Sequence, residues 1–253
     1  MREWPLAEVG REEMLWAPDG LRFAYVKRAA PMALLSSNEA LPGGADLQGV
    51  SHSGAGKMNS LQDSYRIVIR NIRGDSVNEF TVYRPGKPAD LDWIDNNQLG
   101  YLAPPDKTGQ AYILHAVDTG EILRVLRGSR FVWSPGRKHL AYVSSSKHHD
   151  AIKVNGQMVW PRAHSSSPRT RRKIISDLVW SPEGTGLAFL ELDGKKGNLV
   201  VLLVVDNRDG DLIWPVPKGA LKTENHLFWA ENKVMVGRSP LEPRFAASWD
   251  RVQ

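Results

Sequence analysis

Short apolar runs separated by turn-forming residues recur along the whole chain. Five of them share one pattern: an apolar step that ends in Trp, a turn, and a second apolar run. The copies are MLWAPDGLRFAYV from Met14, LDWIDNNQLGYLA from Leu91, FVWSPGRKHLAYV from Phe131, LVWSPEGTGLAFL from Leu178 and LFWAENKVMVG from Leu227. Trp16, Trp93, Trp133, Trp180 and Trp229 are thus separated by 77, 40, 47 and 49 residues. Three intervals match a repeating unit of about 40–50 residues, and the first is stretched. The runs are rich in aromatic and β-branched residues, and Pro, Asp and Gly in APDG, SPG and SPEG supply turn chemistry, so each copy predicts two strands and a tight turn.

A second hairpin follows each copy. It is RIVIRNI and EFTVY around Arg73-Gly74-Asp75 in the first unit, and AYILHAV and ILRVL around Asp118-Thr119-Gly120 in the second. The third has AIKV and QMVW around Asn155-Gly156, a strong two-residue hairpin signal, and the fourth has VVLLVV and LIWPV around Asp209-Gly210. Four strands per unit result, lettered A to D from the inside outward. The fifth unit has A at His226 to Ala230, B at Lys233 to Gly237 and C at Phe245 to Trp249, and no D strand follows. Trp4-Pro5-Leu6 repeats the Trp160-Pro161 and Trp214-Pro215 pairs of the outer strands. Residues 3–9 are therefore expected to complete the last unit and close the ring. The expected fold is all-β: a single five-bladed β-propeller over residues 1–253, with blades at about 12–86, 89–128, 129–163, 176–219 and 225–253 and an insertion at 28–64.

At WAPDGLRFAYV, WSPGRKHLAYV and WSPEGTGLAFL the sequence resembles the TolB-like, WD-repeat-like propeller repeat. The copies at Trp93 and Trp229 keep only the Trp and the two-strand pattern. The resemblance implies a propeller that serves as a protein-binding platform, sometimes beside a hydrolase domain, and it brings no catalytic residues. It also suggests the periplasm or cell envelope if a leader has been removed; otherwise the protein stays inside, and the compartment is open.

Composition changes little in this picture. Hydrophobic residues make up 42% and charged residues 24%, ordinary for a globular chain with a buried core. No apolar run reaches the roughly 18 residues of a membrane span, and MREWPLAEVGREE has no signal-peptide core. The absence of Cys excludes disulfides and thiolate metal sites. A net charge of +5 favours acidic partners only where the charge clusters.

If strand A leaves one face of the disk, the B–C and D–A connections lie on that face and the tight A–B and C–D turns on the other. The loop-rich face then carries the insertion, the B–C loop 144–150 with His148 and His149, and the D–A loop 162–173 with Arg162, Arg169, Arg171 and Arg172. The position three residues before each Trp reads Glu13, Asp90, Arg130, Asp177 and His226, a polar column expected to ring the channel mouth. It is read either as a binding ring or as a solvated rim whose charges pair with one another.

Catalytic chemistry is mostly excluded. Gly54-Ala55-Gly56-Lys57 has Ser51 and Met58 where a phosphate loop needs Gly and Ser or Thr, and no Gly-x-Ser-x-Gly elbow is present. Adjacent His148 and His149 lack metal-ligand spacing, and the basic loop lacks the interleaved aromatics of single-strand nucleic-acid binding. No cofactor is expected, and the oligomeric state is open. The chain reads as a non-enzymatic protein-interaction module. The alternative is a propeller glycoside hydrolase in which Glu13, Asp90 and Asp177 supply the carboxylates.

Overall fold

The computed structural model describes residues 14–29, 64–146, 149–161, 173–194, 196–204, 211–217, 226–230, 233–237 and 243–248. Every regular element among them is a strand, and no helix among them is long and apolar enough to cross a membrane. The first sheet contains β1 (Leu15–Trp16), β2 (Arg22–Arg28), β3 (Tyr65–Asn71) and β4 (Ser76–Thr81), in that order. The insertion leaves and re-enters between β2 and β3, where Ala29 N–H donates to Ser64 O at 2.8 Å, so the ladder stays closed across it.

A seven-stranded sheet follows, ordered β11–β10–β9–β8–β7–β6–β5. Its strands are β5 (Ala89–Trp93), β6 (Gln98–Asp106), β7 (Gly109–Ala116), β8 (Ile122–Trp133), β9 (Leu140–Ser145), β10 (Asp150–Val154) and β11 (Gln157–Trp160). The sequence predicts two four-stranded sheets here, and the structure merges them. The outer strand of the second unit and the inner strand of the third are one continuous twelve-residue strand, β8. Gly128 permits this, because a Cβ there would lie 2.4 Å from Val143 O and 2.7 Å from the Tyr142 ring.

The fourth unit forms the sheet β12 (Ile174–Trp180), β13 (Gly186–Asp193), β14 (Lys196–Leu203) and β15 (Leu212–Val216). The last sheet has three strands, β16 (His226–Ala230), β17 (Lys233–Gly237) and β18 (Pro243–Ser248). Among the described residues four sheets of antiparallel strands therefore stand where five units are written in the sequence.

The chain divides into two compact units, residues 1–104 with 113–124, and 105–112 with 125–253. In the second compact unit the sheet of β12–β15 is buried on both faces. Leu187, Phe189, Val200 and Leu202 pack with Ile152 and Trp160, while Ala188, Leu190, Leu199 and Val201 pack with Val234 and Val236. Alternate residues of β13 and β14 thus feed two cores, which is why these strands read as unbroken apolar runs.

The Trp residues hold successive units together by one repeated bond. Trp93 Nε1 donates to Leu15 O (2.9 Å), Trp180 Nε1 to Val132 O (3.0 Å) and Trp229 Nε1 to Val179 O (3.4 Å). Each acceptor is the residue just before the Trp of an earlier copy. Trp133 bonds the Tyr112 hydroxyl instead. Trp93 and Trp180 are buried as a core-packing role requires, whereas Trp16, on the two-residue β1, is half exposed and meets the Phe23 ring at a tilt of 53°.

Candidate functional site

The polar column falls on a recurring backbone irregularity. Asp90, Arg130 and Asp177 have φ of 48°, 54° and 57°, and the ladder shifts register between Ala89 and Asp92, Ser129 and Val132, and Ser176 and Leu178. Three inner strands therefore carry a β-bulge with a left-handed, non-glycine residue at the same aligned position. Asp tolerates this conformation, while for Arg the Cβ crowds its own carbonyl. Asp90, Arg130 and His226 are exposed, and Asp177 is half buried.

Asp177 and His226 are brought together. The Asp177 carboxylate accepts Leu227 N–H at 2.9 Å, and its Oδ2 lies 3.7 Å from His226 Nδ1. This carboxylate clasps the inner strand of the following unit. Asp90 belongs to the first compact unit, and Arg130, Asp177 and His226 to the second. Glu13, His148, Arg162, Arg169, Arg171 and Arg172 lie outside the described residues.

The B–C connection of the third unit is shorter than expected. Strands β9 and β10 pair out to Ser145 and Asp150, and the turn between them is closed by Ser146 N–H to His149 O at 3.0 Å. His149 is half buried in this turn, its own N–H donated to Ser146 Oγ. On the opposite turns, Arg22 pairs with Asp19 and Asp118 (both 3.4 Å), donates to Asn96 O and lies 5.8 Å from the Trp93 ring centre.

Two buried polar clusters carry no motif that singles them out. Glu191, 6% exposed, accepts Lys173 Nζ at 2.6 Å and Trp160 Nε1 at 3.2 Å, and nearby Asp150 accepts Ile175 N–H. In the first unit His115, 2% exposed, lies between Phe80 and Tyr101 with ring centres 4.3 and 5.6 Å away. Its Nδ1 is 2.9 Å from Gly120 O, its Nε2 is 3.3 Å from Tyr101 OH, and Tyr83 N–H donates to that hydroxyl at 2.9 Å. Burial pushes the imidazole below its usual range, partly opposed by the Gly120 carbonyl. Burial also raises Tyr101 to about 12, against the opposing bond from Tyr83.

Geometry and chemistry together define a repeat protein of antiparallel sheets with a bulged polar position on its inner strands. No family model and no curated protein matches the chain. Among solved structures it is similar to TolB from Acinetobacter baumannii at 16% identity, with 68% of this chain and 42% of that one covered and a TM-score of 0.38. It is also similar to a putative dipeptidyl aminopeptidase IV from Bacteroides ovatus (12% identity, 88% and 36% covered, TM-score 0.47) and to the Dos1 propeller (15%, 72% and 53%, 0.39). The chain spans less than two thirds of the length of each.

Proposed function

We propose that the chain is a five-bladed β-propeller closed by residues 3–9, and that it acts as a non-enzymatic platform for a protein partner at the mouth ringed by the polar column. The carrying observation is the recurring left-handed bulge, which at Asp90 and Arg130 leaves a charged side chain exposed at the same aligned position. Backbone strain of this kind persists where the surroundings over-determine it, and binding sites are such places. The three-stranded last sheet supports closure, since β18 has an open edge among the described residues that an N-terminal strand would cover. The basic stretch 162–173 favours an acidic partner surface.

The clasp made by Asp177 weighs against the glycosidase reading. A carboxylate tied to a backbone N–H and set beside His226 is held for structure rather than for acid catalysis. The test compares wild type with Asp90→Arg/Arg130→Glu and with a deletion of residues 36–62. All three should melt alike, because the ladder closes at Ala29 and Ser64 without the insertion. A partner recovered by wild type and lost from both variants supports the reading. Equal recovery overturns it, and turnover of aryl glycosides by wild type installs the enzyme instead.

A further inference from the structure

The hydrogen-bond chain through His115 admits one arrangement of protons. Gly120 O can only accept, so Nδ1 carries the hydrogen and the imidazole donates there. Nε2 is then a bare acceptor, and the Tyr101 hydroxyl donates to it while accepting Tyr83 N–H. Every donor in this line meets one acceptor, with the histidine neutral.

The line ties two neighbouring sheets together. Tyr83 follows β4, Tyr101 lies on β6 and His115 on β7. The turn after β7 rests on β4: Asn78 Nδ2 donates to Val117 O at 2.8 Å, and a Cβ at Gly120 would meet Asn78 Nδ2 at 3.3 Å and Phe80 Cδ1 at 3.4 Å. Gly120, with φ of 71°, is thus required both for the turn and for the close approach.

We propose that His115, Tyr101 and Tyr83 form an acid-sensitive latch that holds the 116–121 turn and β7 against β4 while the imidazole is neutral and releases them when it takes a proton. A proton on Nε2 turns an acceptor into a donor facing the Tyr101 hydroxyl. That hydroxyl must then accept twice, and its own hydrogen loses its acceptor at a fully buried side chain. Among the described residues no carboxylate pairs with the ring to compensate the charge. From β4 it meets Phe80, from β6 Tyr101, and from the turn the Gly120 carbonyl. Asp118 and Glu121 in the turn are exposed, Asp118 paired with Arg22, and Ile122, Leu123 and Arg124 at the start of β8 are exposed as well. The Phe80 and Tyr101 ring faces and the Gly120 carbonyl favour a cation, and they leave the bonding conflict at the Tyr101 hydroxyl in place.

The experiment is hydrogen exchange on the full chain from pH 8 to pH 5, read as protection factors at Tyr83 and residues 116–121. The opened state takes a proton near the ordinary histidine value of about 6.5, so opening is favoured by up to about thirtyfold at pH 5. Protection at these amides should fall by up to that factor in wild type and stay flat in His115→Gln. A pH-independent wild type, or an equal fall in the variant, overturns the latch. Should His115→Gln fail to fold, an NMR titration of the wild-type imidazole decides. Protonation coupled to movement of the Tyr83 amide resonance supports the latch, and ordinary titration with that resonance unmoved refutes it.

Discussion

Replacing Trp180 with Phe tests whether the repeated Trp bond or mere bulk holds successive units together. Phe keeps an aromatic ring in the core and removes the donor that reaches Val132 O at 3.0 Å. Trp180 is 6% exposed, so no water replaces that donor without rearrangement. An orphaned buried carbonyl costs about 1–3 kcal/mol. The smaller ring adds roughly 1–2 kcal/mol, a fraction of the 3–5 kcal/mol of full truncation to Ala. The expected loss is about 3 kcal/mol, or roughly 6–12 °C in melting temperature for a chain of this size. The matched control is Trp214→Phe on the outer strand β15, where the indole is half buried and makes no hydrogen bond among the described residues. There the loss should stay below about 1 kcal/mol. Urea unfolding followed by far-UV circular dichroism measures both. A Trp180→Phe loss below about 1 kcal/mol, or one equal to that of Trp214→Phe, refutes the bond as the fastening and leaves burial alone.

Tyr101→Phe should cost about 2–3 kcal/mol at pH 7, since it strands both Tyr83 N–H and His115 Nε2. It should also remove an alkaline slope. The folded phenol titrates near 12 and the unfolded one near 10, so its stabilisation is complete below pH 10 and lost between pH 10 and 12, roughly 3 kcal/mol in all. Wild-type and variant stability curves that run parallel across that window contradict the assignment. At the Arg130 bulge, Arg130→Gly should be more stable than Arg130→Ala by about 1 kcal/mol in chemical denaturation, although Gly is ordinarily the poorer strand residue; the reverse order disproves strain at φ of 54°. Lys173→Met leaves the buried Glu191 carboxylate without its cation and should cost about 3–5 kcal/mol, while Lys173→Met/Glu191→Leu should recover most of it. A thermal melt in which the double variant is no better than the single one sinks that account.

What the sequence makes legible is what repeats locally. The ends of β15, β16 and β17 coincide with the predicted strands because turn residues or the Trp pattern bound them. The continuity of β8 is hidden, since LRGSR holds a Gly that reads as a break, whereas close contact with Tyr142 and Val143 makes it a strand residue. The Tyr101–His115 line and the Arg22 hub are hidden for another reason: their partners lie up to 96 residues apart and meet only once sheets pack. The column before each Trp shows the limit most clearly. Alignment places Asp177 and Arg130 in one position, and the backbone agrees, giving both a left-handed bulge. Their chemistry then diverges. Asp177 can accept a hydrogen bond, and it clasps Leu227 N–H of the next inner strand. A guanidinium has no acceptor, so Arg130 cannot make that clasp and stays exposed. Equivalent positions in a repeat therefore separate into those that hold the framework and those released from it, and only the released ones are free to meet a partner.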